Sequence, residues 1–238
     1  MHLQALAIVL TLVAAAPSGA AASVMPGSDR TSADWQEVWA SFDVDPLIAE
    51  AVVWPEMERY GRLRDLAETA ANYSAYINSG GGPDYSIGIF QMKPSFAETL
   101  EKAWMRSGLA RQYELWFDTA DNATARRIRI SRLQKEEWQV IYLGVFLRLL
   151  YNSYGSFDKN GNWTQDGLET LSPEEQVRLA ATAYNRGCVW SAAGYGDLDR
   201  LREHAGEKHF HYALVPTRHT RRYCYATLAL KHYKKIAE

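Results

Sequence analysis

A mostly helical protein is what this sequence predicts, and three observations carry that expectation. Apolar residues recur at helical spacing, as in Trp35, Val38, Trp39 and Phe42. Two stretches, Asp45-Pro46 and Ser172-Pro173, pair a capping side chain with a proline at the first helical position, where its missing N–H costs nothing. The segment 140–150 is strongly apolar and closes a long helical stretch. A polar, glycine-bearing insertion at 157–169 adds a small hairpin or loop to what is otherwise a single helical domain.

The 238 residues suffice for one large domain or two small ones, with 47% apolar and 23% charged residues, as in an ordinary water-soluble globule. A net charge of -2 gives no whole-protein argument for nucleic acid or membrane binding. The aromatic content is high, with 8 Trp and 14 Tyr. Flat aromatic faces suit sugars, although a helical core uses the same residues.

Residues 1–22 contain no Lys, Arg, Asp or Glu. The apolar run 6–16 has the length of a signal peptide's hydrophobic region and is too short to span a bilayer. Ala20-Ala21-Ala22 offers a cleavage site, although only His2 stands where Lys or Arg is usual. The expectation is a cleaved export signal over 1–22 and a periplasmic or secreted protein. No cysteine follows the cleavage site to take a lipid anchor, and no later apolar run is long enough to span a membrane.

Residues 23–33 are small and polar and read as a flexible leader to a domain spanning 34–238. A first helix begins near Asp34, with Ser32 able to cap it. The Asp45-Pro46 start leads through Leu47, Ile48, Ala51, Val52 and Val53 into Trp54-Pro55-Glu56. Pro55 removes a backbone donor, which places a kink or helix end beside Glu56. Another helix is expected over 61–76, then a flexible loop Ser79-Gly80-Gly81-Gly82-Pro83-Asp84. Ser95, with Glu98 three residues on, is expected to open the next helix as a capping box. Segments 102–121 and 123–150 read as helical, with Arg126, Arg127, Arg129 and Arg132 forming a solvated basic face and contact with a wall polymer as the second reading.

In the insertion, Asp158, Asn160, Asn162, Thr164, Asp166 and Glu169 fall at the ligand spacing of a calcium loop, but Trp163 stands where that loop needs glycine. Asn160-Gly161 is a hairpin turn signal, and the hairpin is preferred to calcium. A helix opened by Ser172-Pro173, with Glu175 at the capping-box position, carries the chain into Tyr184-Asn185-Arg186-Gly187. Five of six histidines fall between His204 and His232 and read as surface or cleft residues; His209 and His211 alone make a weak metal pair. The end of the chain, 217–237, is basic and mostly helical. In an exported chain Cys188 and Cys224 are expected to form a disulfide; two buried thiols are the alternative. No cofactor and no metal is expected, and no internal repeat is visible.

Chemistry points to two stretches. Gln91 is a polar residue inside the apolar run Ser86-Ile87-Gly88-Ile89-Phe90-Gln91-Met92-Lys93-Pro94, where Gly88 permits close approach of another group. Glu56 stands among aromatic and aliphatic neighbours, in surroundings that favour a proton-donating carboxylic acid.

Four segments in order then resemble one family. Ala51-Val52-Val53-Trp54-Pro55-Glu56-Met57 resembles the catalytic-glutamate helix of the lytic transglycosylases and goose-type lysozymes. Gly88-Ile89-Phe90-Gln91-Met92-Lys93-Pro94 is similar to their Gly-Leu-Met-Gln-x-x-Pro segment, and Ala183-Tyr184-Asn185-Arg186-Gly187 to their Ala-Tyr-Asn-Ala-Gly segment. Thr220-Arg221-Arg222-Tyr223 resembles their Glu-Thr-Arg-x-Tyr segment, with His219 in place of the glutamate. The resemblance covers most of the chain from Asp45 to about Tyr233. The interval from Glu56 to Gly88 is longer than in most members of the family, through an insertion over 60–84, and Pro55 and Met57 flank the glutamate unusually.

The resemblance implies a lysozyme-like fold and cleavage of the MurNAc–GlcNAc bonds of peptidoglycan by a monomer. Glu56 would be general acid and then base, rather than an ordinary surface glutamate. Gln91 would line the sugar cleft and Ser86 support the glutamate, against plain turn roles. Asn185 would hold substrate, against a helix-end role. Tyr223 would reach the catalytic centre, against core packing, and Tyr184 serves core and site equally well. Among the glutamates nearby, Glu50 and Glu58 are the rivals, and Asp84 is the sole candidate for a second carboxylate. With no clear partner, the transglycosylase reaction is expected, giving 1,6-anhydro-muramyl products. A hydrolytic lysozyme of the same fold and a non-catalytic wall-binding module are the alternatives.

Overall fold

The computed structural model describes residues 32–58, 60, 65, 69, 75–78, 84–157, 159–160, 162–164, 167–187, 196–207, 209–210 and 222–238. The expected export signal, residues 23–31 of the leader, Cys188, His211 and His219 lie outside them, whereas Ser32, expected as a cap, and Ala33 of the leader are already helical. Helices dominate, as the periodicity predicts: α1 Ser32–Ala40, α2 Pro46–Met57, α3 Pro94–Ser107, α4 Leu109–Gln112, α5 Ala123–Leu133, α6 Glu136–Ser153, α7 Pro173–Arg186, α8 Leu198–His204 and α9 Tyr225–Ile236. Of the helix expected over 61–76, Asp65 and Thr69 are helical, and a helical stretch covers 75–78. No helix among the described residues is long and apolar enough to cross a membrane.

Strands are short. β1 Tyr154–Phe157 pairs antiparallel with β2 Trp163–Thr164, Phe157 opposite Trp163, which is the expected hairpin across the Asn160 turn. β1 also pairs in parallel with β3 Gly196–Asp197, and β4 His209–Phe210 pairs with β5 Arg222–Tyr223. Among the described residues of the segment expected to be mostly helical over 217–237, a strand at Arg222–Tyr223 precedes the helix, which starts at Tyr225.

Caps explain several boundaries. Asp45 accepts from the Leu47 amide at 2.8 Å, with Pro46 at the first position of α2. Ser172 caps α7 by accepting from Glu175 N at 3.3 Å, and Asn122 caps α5 by accepting from Ala125 N at 2.9 Å. The expected Ser95 cap is a correction: Lys93 is the N-cap of α3 and Pro94 its first residue. Asp84 takes the capping role instead, accepting from Ser95 N at 3.1 Å and from Ser95 Oγ at 2.5 Å. Gly108 ends α3, so the helix expected over 102–121 stops there apart from the single turn of α4, and 123–150 divides into α5 and α6 at Gln134-Lys135.

One hydrophobic core runs from Val38 to Ala229. Trp39, Ile48, Phe90, Trp104, Phe146 and Tyr225 are almost wholly buried in it, each apolar side chain contributing roughly 1.5–3 kcal/mol of transfer free energy. Helices α2, α7 and α9 pack against one another.

The solvated basic face needs correcting as well. Arg129 is 1% exposed and pairs with Glu101, itself 1% exposed, at 2.6 Å from Nη2 to Oε2. Arg132 reaches Glu101 at 3.3 Å and lies 4.4 Å from the Trp138 ring centroid. Arg126 pairs with Asp121 at 2.5 Å. Only Arg127 of the four is exposed. The carboxylates answering these arginines come mostly from α3, a partner that a helix read by itself does not reveal.

Candidate active site

The candidate site takes in the last turn of α2 and a tight turn over 87–92. Ile87 and Met92 exchange both backbone hydrogen bonds, 2.9 Å from Ile87 N and 3.1 Å from Met92 N, and Gln91 N donates to Gly88 O at 3.0 Å. Residues 88–91 thus form a closed four-residue loop between two apolar anchors. Gly88 and Gln91 both have positive φ, +73° and +52°. Glycine adopts that conformation freely, whereas glutamine does so at some cost. The Gln91 side chain offsets it, its Nε2 donating back to Gly88 O at 2.8 Å. Part of the amide expected to line the cleft therefore closes its own turn.

Side chains from three other parts of the fold hold the same loop. Buried Gln139 of α6 accepts from Phe90 N at 2.7 Å and donates to Ile87 O at 3.1 Å and Leu133 O at 2.5 Å. Asp65 accepts from Gly88 N at 2.5 Å and from Tyr60 Oη at 3.2 Å. Tyr184 of α7 donates its hydroxyl to Phe90 O at 2.6 Å. A Cβ at Gly88 would overlap Gln139 Nε2 and come within 2.9 Å of Leu133 O. Since that amide is pinned by three hydrogen bonds, it cannot swing aside cheaply. Gly88→Ala is expected to cost more than the ~1 kcal/mol typical of losing a favourable glycine conformation. Urea denaturation checks this, and an unchanged midpoint would contradict the packing described.

Glu56 occupies the last turn of α2, half-buried, just after Pro55. The position is the carbonyl end of the helix. Tyr184 links it to the turn. Burial pushes the Tyr184 phenol well above its ordinary pKa, and the charge of Glu56 adds to the shift. Tyr184 is thus core and site at once. Tyr225 Oη donates to Val52 O at 2.9 Å, one turn before Glu56, and so fixes the start of α9 against α2. Tyr223 lies two residues earlier on β5, partly buried against the core.

Asn185 is half-buried at the end of α7, where Gly187, with φ +81°, breaks the helix. Among the described residues, neither the Asn185 amide nor the half-buried Ser86 hydroxyl has a hydrogen-bond partner. Both are therefore left with polar groups to offer a ligand. The rivals to Glu56 have other employment or none: Glu50 bonds His232 Nε2 at 2.9 Å, and Glu58 is exposed. His232 is buried rather than a surface residue, stacked on Trp54 at 3.8 Å between centroids and 3° between planes. Asp84 is spent capping α3.

Gln139, Asp65, Tyr60 and Tyr225 are the residues sequence reasoning missed. Gln139 carried a usable signal, a lone amide beside a strongly apolar helical run, of the kind that singled out Gln91. For Asp65 no local pattern exists. Cys224, half of the expected disulfide, carries a free thiol that donates to Ala205 O at 3.3 Å. No group of three or more His, Cys, Asp or Glu able to hold a metal occurs among the described residues.

Comparison with known proteins finds no matching family model, curated relative or solved structure. What the fold and site define is a mainly helical protein with a half-buried glutamate in the last turn of one helix and a hydrogen-bonded turn that contains a positive-φ glycine.

Proposed function

We propose that this protein is a lytic transglycosylase with a lysozyme-like fold, cleaving the MurNAc–GlcNAc bonds of peptidoglycan outside the cytoplasm. The observation that carries the reading is the Tyr184 bridge. Its hydroxyl holds the Gln91 turn while its phenol lies in the field of Glu56, so three segments far apart in the chain converge. Those are three of the four segments whose resemblance suggested the activity.

In the proposed reaction the Glu56 carboxyl protonates the glycosidic oxygen, and the bond from the muramyl C1 to that oxygen breaks. The resulting carboxylate takes the proton from the C6 hydroxyl of the same muramyl residue. That oxygen closes on C1, giving the 1,6-anhydro ring and restoring the acid, with no water consumed. Gln91, Asn185 and Ser86 would hold the sugar and Tyr223 border the centre.

Hydrolysis is the second reading, and Asp65 is the observation that favours it. It brings to the Gly88 turn a second carboxylate, the group a lysozyme needs to activate water. Both of its oxygens already accept hydrogen bonds, which favours the lyase. Digestion of purified sacculi in ¹⁸O-water tests the choice. Unlabelled anhydro-muramyl ends are expected, from the native protein and at a reduced rate from Asp65→Asn. Labelled reducing ends would establish a lysozyme, and their loss in Asp65→Asn would assign water activation to Asp65. Intact sacculi would leave only the wall-binding module.

A further inference from the structure

We infer that Gln139 is a positioning residue for the proposed glycan cleft, setting the turn that presents Gln91; the inference rests on the reading of Glu56 and Gln91 above. Gln139 is 1% exposed and sits on α6, far in sequence from the turn it holds. Its single planar amide does three things together. The oxygen accepts from Phe90 N at 2.7 Å, and the nitrogen donates to Ile87 O at 3.1 Å and to Leu133 O at 2.5 Å. Leu133 is the last residue of α5, so the turn is registered against the corner between α5 and α6.

From there the geometry passes on through Phe90. Gln139 holds its N–H and Tyr184 holds its carbonyl, so the residue directly before Gln91 is clamped at both backbone ends. Tyr184 is also the side chain that feels Glu56. The path Gln139–Phe90–Tyr184 therefore fixes where the Gln91 side chain stands relative to the acid. Gly88 belongs to the same device, because only a residue without Cβ leaves room for the Gln139 amide.

The chemistry demands an amide at position 139. Methionine, of similar length, offers no donor and only a weak sulfur acceptor, so Phe90 N and Leu133 O lose their amide partner while Ile87 O keeps the bond from Met92 N. A glutamic acid keeps the acceptor and one donor while neutral, but loses every donor when ionised.

The test uses Gln139→Met and Gln139→Glu in the full chain, with amide hydrogen exchange at Phe90 and steady-state cleavage of glycan strands. Gln139→Met is expected to speed Phe90 exchange at least about tenfold. It should lower kcat by about 10²-fold, as a misplaced group does, with KM changed far less. Gln139→Glu is expected to lose activity as pH rises and the introduced carboxyl ionises, with Phe90 exchange speeding over the same range relative to the native protein, a limb added to the one that ionisation of Glu56 gives the native profile. Unchanged Phe90 exchange, or an unchanged kcat beside a lowered Tm, would overturn the positioning role. If Gln139→Met does not fold, the pH limb of Gln139→Glu decides. If the native protein cleaves nothing, the reading of Glu56 fails, and faster Phe90 exchange with α6 still protected supports the positioning role whereas unchanged exchange overturns it.

Discussion

Glu56→Gln is expected to abolish cleavage of purified sacculi while the helical fold persists. Glutamine fills the same space at the end of α2, but it cannot give up and recover a proton. Acid–base catalysis alone accounts for about 10²–10⁴ in rate, and a residue serving as both acid and base should cost more than that when removed. Mass spectrometry of digested sacculi measures the loss, and far-UV circular dichroism confirms the fold. Substantial cleavage by a folded Glu56→Gln protein would remove Glu56 from the mechanism. Glu50→Gln serves as the control, since its carboxylate is engaged with His232.

The largest effect on stability is expected from Arg129→Met. Arg129 and Glu101 are each 1% exposed and meet at 2.8 Å from Nε to Oε2 and 2.6 Å from Nη2. Tyr142 donates to the other Glu101 oxygen, while Tyr76 donates to Glu98 Oε2 at 2.6 Å. The cluster joins α3, α5 and α6. Removing the cation leaves Glu101 buried with the Tyr142 hydroxyl and Arg132, at 3.3 Å and bonded to the same oxygen, to answer its charge. Breaking a buried pair from one side costs about 3–5 kcal/mol, and each kcal/mol lowers Tm by about 2–4 °C in a chain of this size. Differential scanning calorimetry would show it, and a shift below about 2 °C would mean that the pair contributes little to holding the helices.

The same cluster sets an acid limit. Burial pushes the Glu98 carboxyl up, but the hydrogen bonds from Lys102 and Tyr76 and the charge of Arg129 outweigh it and hold the group below its ordinary value. A carboxylate depressed on folding stabilises fully above its unfolded pKa, and that contribution is lost as pH falls through the folded one. The native protein should therefore lose part of its stability only below the ordinary glutamate range. In Arg129→Met, with one of the depressing causes removed, that loss should begin at higher pH.

How much of this was legible beforehand follows from the range of each interaction. Helix α2 was readable because Asp45, Pro46 and the apolar run after them act within a few residues of one another. The hairpin of β1 and β2 was readable for the same reason, through Asn160-Gly161. The break between α5 and α6 was not, since Gln134-Lys135 contains no strong breaker and the corner is held by the Gln139 side chain donating back across it to Leu133 O. Nor was the start of α3, because the Asp84 carboxylate competes for Ser95 from eleven residues away.

At the site, the sequence by itself determined which residues could carry chemistry: Glu56 beside Pro55, Gln91 in an apolar run, Asn185 before a glycine. Tertiary structure alone decided their surroundings. Asp84, a carboxylate near the turn by sequence, is consumed as a helix cap, whereas Asp65, without any local signal, reaches Gly88 N. Tyr184, balanced between core and site by sequence, joins both because its ring is buried, its hydroxyl donates to Phe90 O, and the charge of Glu56 adds to the upward shift of its phenol. Backbone propensities and caps act over a few residues and so can be read along the chain. Hydrogen bonds from Gln139 and Asp65, and the pairing of Arg129 with Glu101, join residues tens of positions apart. They arise only once packing has excluded water and left each buried polar group a single available partner.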